Sequence, residues 1–407
     1  MNQPLVPRIL RPRRAAPADA VRPTRADINL EAVRHNVRVV RKHAGDARVW
    51  AVLKADAYGH GAPAVARTLE RDRRVDGFCV ALLEEGVELR EAGINAPILL
   101  MGGLSGSGRN AHEEAVVRGL VPVVHDLEPV AAFARLVRSG VVAGPIDVHL
   151  KIDTGMARLG VTMQALPALA AKLADYPEVR VRGLMTHLAC AEDAADLETA
   201  EQLARFEEAT ALLREHGVEV PVRHAASSAA VLRGQAIFDA VRPGLALFGV
   251  SPRMRTPDGA ASGEPMTREL KAVMRVRTEI VALRTIEAGA AVGYGGTWRA
   301  PGRARIATLP MGYADGLSRH LGNRGHVLVR GRRAPIVGAV SMDMAMIDVT
   351  SIEGAAQGDE AVILGPQEGP LGRDAITAGE IAEHAGTIPW EVLTSVSRRV
   401  PRFYREP

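Results

Sequence analysis

The sequence predicts an α/β protein, a (β/α)8 barrel of the TIM type followed by a mostly antiparallel β domain. From residue 27, short apolar runs of strand length alternate with helical patterns, eight runs in all, which argues for a parallel sheet with helical crossovers. Eight repeats over roughly 220 residues match a closed barrel better than an open, doubly wound sheet. Beyond residue 265 the pattern changes to β-type segments separated by turns such as Gly322-Asn323 and Gly358-Asp359. The open sheet is the alternative, but it would normally carry a glycine fingerprint after its first strand, and Lys54-Ala-Asp-Ala-Tyr-Gly is not one. The expected divisions are a disordered basic extension over residues 1–24, the barrel over 25–265 and the β domain over 266–407.

Composition allows this architecture and excludes others. A chain of 407 residues with 47% hydrophobic content can bury two cores. Its net charge of +4 comes largely from the first 25 residues, where Arg8, Arg11, Arg13, Arg14, Arg22 and Arg25 face only Asp19, so the folded body carries no basic surface for nucleic acid. Five prolines in that leader argue against an amphipathic organellar address, and it lacks the apolar core of a secretory signal. No apolar run is long enough to span a membrane. Cys79 and Cys190 have neither metal-site spacing nor disulfide density, so no metal is expected and a reducing, cytoplasmic setting fits.

The eight barrel strands are expected over residues 49–53, 77–82, 97–101, 120–124, 147–152, 181–186, 221–224 and 240–249. Between the last strands, residues 191–216 read as a helix with Leu197, Ala200, Leu203, Ala204, Ala211 and Leu212 on its buried face. The β domain is expected to use residues 271–283, 303–309, 326–329, 335–340, 344–349 and 360–364. Thr377-Ala-Gly-Glu380 has the form of a capping box opening a helix, and residues 390–396 give another short helical segment.

Catalytic groups in such barrels sit at the C-terminal ends of the strands. The segment Trp50-Ala-Val-Leu-Lys54-Ala-Asp-Ala-Tyr58-Gly-His60-Gly61 delivers Lys54 to that rim, where partial desolvation favours a neutral amine able to attack a carbonyl. Lys151 and Arg158 follow the fifth strand, His187 the sixth, Ser227-Ser228 the seventh and Arg242-Pro-Gly244-Leu245 the eighth. The hydroxyls at Ser227-Ser228 and the glycine-bared N–H groups at Gly244-Leu245 lie where barrels of this kind hold phosphate. With a rim lysine they suggest a phosphorylated aldehyde cofactor, pyridoxal 5'-phosphate. The planar guanidinium of Arg158 suits a carboxylate and hence an amino-acid substrate. Each feature has a plainer reading in isolation: a snorkelling lysine, a serine N-cap, and a loop arginine paired with Asp153. Tyr294 and Tyr313, two of only five tyrosines, stand in glycine turns of the second domain, which argues against core filler, with packing lids as the plainer alternative.

Taken in order, the stretch around Lys54, residues 151–160, His187, residues 242–245, 292–297 and 310–316, and Ser341-Met342-Asp343 resemble the motifs of the alanine racemases, from about Arg25 to the C-terminus. The resemblance implies a fold-type III pyridoxal-phosphate enzyme, a homodimer that interconverts L- and D-alanine and supplies D-alanine for peptidoglycan. It implies Lys54 as cofactor lysine and one base, and Tyr294, reaching in from the partner subunit, as the other. Arg242 would sit on the pyridine nitrogen with His224 nearby. Tyr58, Ser228, Gly244 and Leu245 would hold the cofactor and its phosphate, and Arg158 and Met342 the substrate carboxylate. His187 would link the tyrosine to the cofactor surroundings, and Lys151 would be the lysine that can be carbamylated. Racemisation needs a base on each face of the α-carbon, and an amine and a phenol serve if nearby cations lower the phenol's pKa. The sequence departs from the family at Trp390, where a phosphate-contacting tyrosine is usual, at Ser227 for asparagine and at Ser341 for cysteine. Two alternatives are a racemase of broader amino-acid range and a non-catalytic pyridoxal-phosphate carrier on the same barrel; such carriers lack a β domain.

Overall fold

The computed structural model describes residues 20–104, 110–193, 197–255 and 261–405. The expected basic extension lies outside the described residues as far as residue 19. Its end is tied down: Arg22 bonds the Asp315 carboxylate, and Thr24 bonds the Pro310 carbonyl and the Thr278 hydroxyl. The chain divides into two compact units, Asn29–Val273, and Met274–Tyr404 together with the chain up to Ile28.

The first strand, β1 (Arg25–Asn29), therefore belongs with the later residues and not with the barrel, pairing antiparallel with Met274–Glu279. Asp27 is buried in that sheet and bonded by Arg277, so a strand written Arg-Ala-Asp-Ile-Asn is stable only where its acid meets a cation.

In the Asn29–Val273 unit the barrel strands are β2 (Arg48–Val52), β3 (Gly77–Val80), β4 (Ile98–Leu100), β5 (Val121–Val124) and β6 (Ile146–Asp153). They continue, past a two-residue strand β7 (Val161–Thr162) beside β6, with β8 (Val179–Met185), β9 (Arg223–His224) and β10 (Ala240–Val241). All pair in parallel, and β10 returns to pair with β2. The ring is nearly closed: at the β9–β10 seam the backbone bonds are Asp239 N–H to Arg223 O (3.0 Å) and Arg242 N–H to Ala226 O (2.9 Å). Near-continuous Val, Ile and Leu runs suit strands buried on both faces.

Two expectations for this unit are corrected. The eighth strand does not run to residue 249; Pro243 has no N–H to offer a ladder, and the chain turns into a 3-10 segment, Leu245–Phe248. The helix Glu198–Glu215 buries Thr199, Gln202, Phe206, Ala209, Thr210 and Leu213, whereas Leu197 precedes the helix and, like Ala200, Ala204 and Ala211, is exposed. Alanine costs little in water, and two of the buried polar members of the true face, Gln202 and Thr210, are bonded internally, Gln202 to Thr154 and His187 and Thr210 to the Phe206 carbonyl.

The other unit is mostly antiparallel. A seven-stranded sheet runs in the order Arg332–Pro335, His326–Val329, Glu360–Gly369, Met274–Glu279, β1 and Arg402–Arg405, with Gly372–Ile376 paired to Glu360–Gly369. Ala282–Ile286, Ala304–Leu309 and Ala345–Asp348 form a second sheet. The strand expected over 335–340 instead ends at Pro335, because Gly338 (φ 74°) turns the chain. The one expected over 271–283 is two strands, Met274–Glu279 and Ala282–Ile286. Thr377 caps its helix, its hydroxyl accepting from Glu380 N–H at 3.1 Å. Among the described residues no helix is long and apolar enough to cross a membrane.

Candidate active site

The C-terminal rim of the barrel begins with a strained turn. After Leu53, the residues Ala55, Asp56, Ala57 and Tyr58 all adopt left-handed backbone conformations, with φ of 50°, 58°, 54° and 54°. Each L-residue there costs about 1–2 kcal/mol. Several bonds hold the turn: Ala57 N–H to Leu53 O (2.7 Å), Gly59 N–H to Ala55 O (2.9 Å), Ala62 N–H to Asp56 Oδ1 (2.8 Å) and Ala55 N–H to Glu85 Oε1 (2.6 Å). The other Glu85 oxygen accepts from the Ala81 and Leu82 N–H groups, so one carboxylate ties the turn to the loop after β3. Such strain persists only where surrounding bonds over-determine it, and it clusters at working sites.

Lys54, which opens the turn, reaches solvent. The walls around it still strip away part of its hydration, and this, with the charge of Arg158, lowers its pKa against the opposing pull of Glu85. Tyr58, which closes it, is buried against Phe248 (ring centroids 5.1 Å apart), and burial raises its phenol pKa. Its hydroxyl has no hydrogen-bond partner among the described residues. That hydroxyl lies over Gly244: a Cβ there would come within 2.2 Å of Tyr58 Oη. Ser228 Oγ accepts from the Gly244 (3.0 Å) and Ala246 (3.2 Å) N–H groups and so locks the loop after β10 onto the loop after β9. Tyr58, Ser228 and Gly244 thus form one small polar cradle, with Leu245 next in the chain.

Arg242 is buried with no acidic partner among the described residues. Nη1 donates to His224 Nδ1 (2.6 Å) and His224 O (2.7 Å), and Nη2 to Thr186 O (2.7 Å) and Ala225 O (3.2 Å). Four of the five guanidinium N–H groups are thereby used, leaving the Nε–H. Burial lowers its pKa to about 10, so it stays charged at neutral pH. The same charge, after burial itself, holds His224 far below the usual histidine range and His149 at about 3.

Lys151 is buried, and burial, then Arg158 and Arg242, lower its pKa to about 8, with Asp153 opposing. Arg158 is exposed and is not paired with Asp153, whose carboxylate instead accepts from Gly155 N–H (3.1 Å) and Ala157 N–H (3.0 Å) to fold its own turn. That removes the plain reading of Arg158 as one half of a loop ion pair. His187 is brought to the same cluster: burial, then Arg242, Arg158, Lys151 and Lys54, press its pKa down to about 3.

In the other unit, Tyr294 opens a tight turn after Gly293 (φ 71°) and is 75% exposed. Met342, also exposed, belongs to a loop locked to Tyr313-Ala314 by Tyr313 N–H to Ser341 O and Ala314 N–H to Met342 O, both 3.0 Å. Asp315, fully buried, anchors these loops through Arg22, Arg399 and the Gly312 N–H. Trp390 is partly buried in the helix Pro389–Ser395.

Two family models match, one described as alanine racemase, N-terminal domain, over residues 28–252, the other as alanine racemase, C-terminal domain, over 273–404. The chain belongs to the alanine racemase family. It is an enzyme, an isomerase that interconverts L- and D-alanine. It is 57% identical to the alanine racemase of Sorangium cellulosum over 392 residues, 95% of this chain and all of that one. The alanine racemase of a D-cycloserine-producing Streptomyces lavendulae superposes with a TM-score of 0.84 at 33% identity, covering 95% of this chain and 98% of that one. That of Bartonella henselae, solved with covalently bound pyridoxal phosphate, gives 0.81 at 30% identity, covering 94% and 99%. With the C-terminal domain model matched, the carrier alternative falls.

Several residues of the alanine racemase rim escape a sequence reading. Glu85 and Asp56 hold the left-handed turn, yet nothing in their spacing marks them. Gln202, wholly buried, receives the Ala189 N–H (2.8 Å) and donates to Thr154 Oγ1 (3.1 Å) and His187 O (3.0 Å), bridging the loops after β6 and β8. His149 had a signal: two residues before Lys151 in one strand, it shares that residue's face.

Proposed function

We propose that this alanine racemase carries pyridoxal 5'-phosphate on Lys54 and moves the α-proton of alanine with two bases, Lys54 on one face and Tyr294 of a second subunit on the other. The observation that carries the reading is Arg242, a buried cation with four N–H groups committed to the protein and one left over. When bound, the cofactor supplies an electron-withdrawing ring that acidifies the α-carbon. The Nε–H of Arg242 would donate to the pyridine nitrogen, and because guanidinium has no acceptor and does not give up its proton, it keeps that nitrogen unprotonated and disfavours transamination.

The cradle fits the phosphate. The unpartnered Tyr58 hydroxyl, the Ser228 hydroxyl and the Leu245 N–H present small polar groups where a side chain at position 244 would intrude, and the Gly244 N–H, donated to Ser228 Oγ, would pass to the phosphate. Trp390 would offer its indole N–H to the phosphate in place of the tyrosine hydroxyl usual in the family. Arg158, free of Asp153, would take the substrate carboxylate with the Met342 backbone, and His187, held neutral, would connect Tyr294 to the cofactor surroundings. The lowered Lys54 pKa makes a larger fraction of neutral amine available for attack and for proton removal. Exposed Tyr294 and Met342 are the side chains a homodimer would cover and share. The role would be D-alanine supply for peptidoglycan in the cytoplasm, with a small amino acid as ligand and neither nucleic acid nor membrane as partner.

Purified protein incubated with L-alanine in deuterated water should place deuterium on the α-carbon of the D-product. Borohydride reduction followed by peptide mapping should fix the cofactor on Lys54. Attachment elsewhere would overturn the assignment.

A further inference from the structure

Behind Arg242 lies a second histidine that the proposed chemistry does not use. His224 Nδ1 takes the Arg242 Nη1 donor, and because guanidinium only donates, this nitrogen carries no proton. The proton of the neutral ring is then on Nε2, 2.8 Å from His149 Nδ1, which must accept it. Three groups form one directed chain, Arg242 to His224 to His149, with both rings buried and the guanidinium charge beside them.

The barrel wall is built around that last ring. His149 lies at a register shift in the β6–β8 pairing, where it faces Gly183. A Cβ on Gly183 would fall 2.2 Å from His149 Nδ1, so the strand omits a side chain where the acceptor nitrogen sits. Trp50 packs on both rings, with centroids 5.2 Å from His149 and 5.1 Å from His224. On its far side His149 lines a cavity of about 220 Å³ with Arg48, Val121, Asp147 and Val222, residues at the N-terminal ends of their strands, opposite the catalytic rim.

We infer that His149 is a positioning residue of the racemase: by accepting the His224 Nε2–H it fixes the ring that aims Arg242, with Gly183 as the space the arrangement requires. A histidine whose N–H is accepted becomes a stronger acceptor at its other nitrogen, so the pull of His149 tightens the Arg242 bond. Without it, the buried Nε2–H is left unsatisfied, which His224 relieves by turning, and the guanidinium turns with it. The functional part of the inference rests on the proposed contact of Arg242 with the pyridine nitrogen; the hydrogen-bond chain does not.

The test begins on the unmutated full-length protein labelled with 15N-histidine. Long-range proton–nitrogen spectra at neutral pH should show His224 and His149 neutral, each protonated on Nε2, with assignment by His149→Asn. A His224 carrying its proton on Nδ1, or a charged ring, overturns the chain whatever the cofactor does. The second measurement counts racemisation turnovers per abortive conversion of the cofactor to its amine form. His149→Leu should lower that ratio about tenfold or more, the scale on which supporting residues act. His149→Asn, whose Oδ1 can accept in place of Nδ1, should restore it to within about threefold. Equal ratios in wild type, Leu and Asn proteins would overturn the positioning role. Should His149→Leu not fold, the spectra and His149→Asn decide: wild-type histidine states with a ratio tenfold down would likewise refute the acceptor argument. Failure of Lys54 to carry the cofactor would instead strike the proposed function and leave the spectra interpretable.

Discussion

Gly244→Ala tests the cradle most directly. The added Cβ would lie 2.2 Å from Tyr58 Oη and 2.9 Å from Tyr58 Cζ, distances no unstrained carbon tolerates. Tyr58 cannot simply withdraw, being buried against Phe248 and held at the end of the left-handed turn. Overpacking of this kind costs about 1–3 kcal/mol. If the strain is felt when the cofactor is seated, the dissociation constant for pyridoxal phosphate should rise roughly 5- to 150-fold, at about 1.4 kcal/mol per tenfold. The assay is reconstitution of cofactor-free protein with pyridoxal phosphate, followed by the visible absorbance, beside a thermal melt of the same sample. Tyr58→Phe added to Gly244→Ala removes the nearer clash and should recover part of the affinity, even though Tyr58→Phe alone weakens binding. Unchanged affinity in Gly244→Ala, or strictly additive losses in the double variant, would show that Tyr58 and Gly244 do not form one site.

Tyr294→Phe should keep the cofactor's visible band but lower racemisation about 10²- to 10⁴-fold in both directions, the usual worth of a general acid–base group; normal turnover of both enantiomers would remove its role. Mixing Lys54→Ala with Tyr294→Phe subunits should restore part of the activity if the site is shared, and no recovery would count against the partner placement. Lys151, with a folded pKa of about 8 against 10.5 unfolded, binds fewer protons folded than unfolded between those values, so stability should rise as pH increases from about 8 to 10.5, on the order of 3 kcal/mol at most. Lys151→Met should lose that rise in urea titrations across the window and be more stable at pH 7; an unchanged slope would mean the buried group is not a free ammonium. Asp315→Asn leaves Arg22 and Arg399 without their carboxylate, but both guanidiniums reach water, so the protein should be destabilised by about 1–3 kcal/mol, the worth of hydrogen bonds to a charged group, read as a fall in the urea midpoint.

The barrel was legible because β2 to β5 are almost unbroken apolar runs, as strands buried on both faces must be, while β6 and β8 keep an apolar majority around Asp147, His149, Lys151, Arg180 and Arg182. β9 and β10 are two residues long, and what makes them strands is backbone pairing with neighbours far off in sequence. The helix Glu198–Glu215 was legible as a helix but not in its facing, since a hydrophobicity pattern ranks Ala204 above Gln202 and cannot see that Gln202 has three partners waiting. The rim residues were legible one by one. Their constraint was not: left-handed φ at two alanines and a tyrosine has no local signature, and it is imposed by Glu85, some thirty residues away. β1 was hidden because its Asp27 reads as a break until Arg277 is placed beside it.

Charge gives the parts of the rim a common purpose. Lys54, Lys151, Arg158 and Arg242 perturb one another's surroundings, yet no carboxylate pairs with any of them among the described residues; Asp153 is spent on its own turn, and Glu85 on backbone N–H groups. The histidines among them, His187, His149 and His224, are held neutral and so add no repulsion, and His149 and His224 add hydrogen bonds. A protein concentrating four cations in a half-dry cleft bears a repulsive cost that folding alone does not require. The cost is offset when anions enter, and a phosphate with an amino-acid carboxylate supplies about three negative charges. Pyridoxal phosphate and alanine together should therefore raise the melting temperature of the wild-type protein far more than they raise that of the Arg158→Gln variant, in which the carboxylate has lost its cation. Equal gains in melting temperature for the two proteins would refute the charge argument at Arg158 while leaving the Arg242 assignment intact.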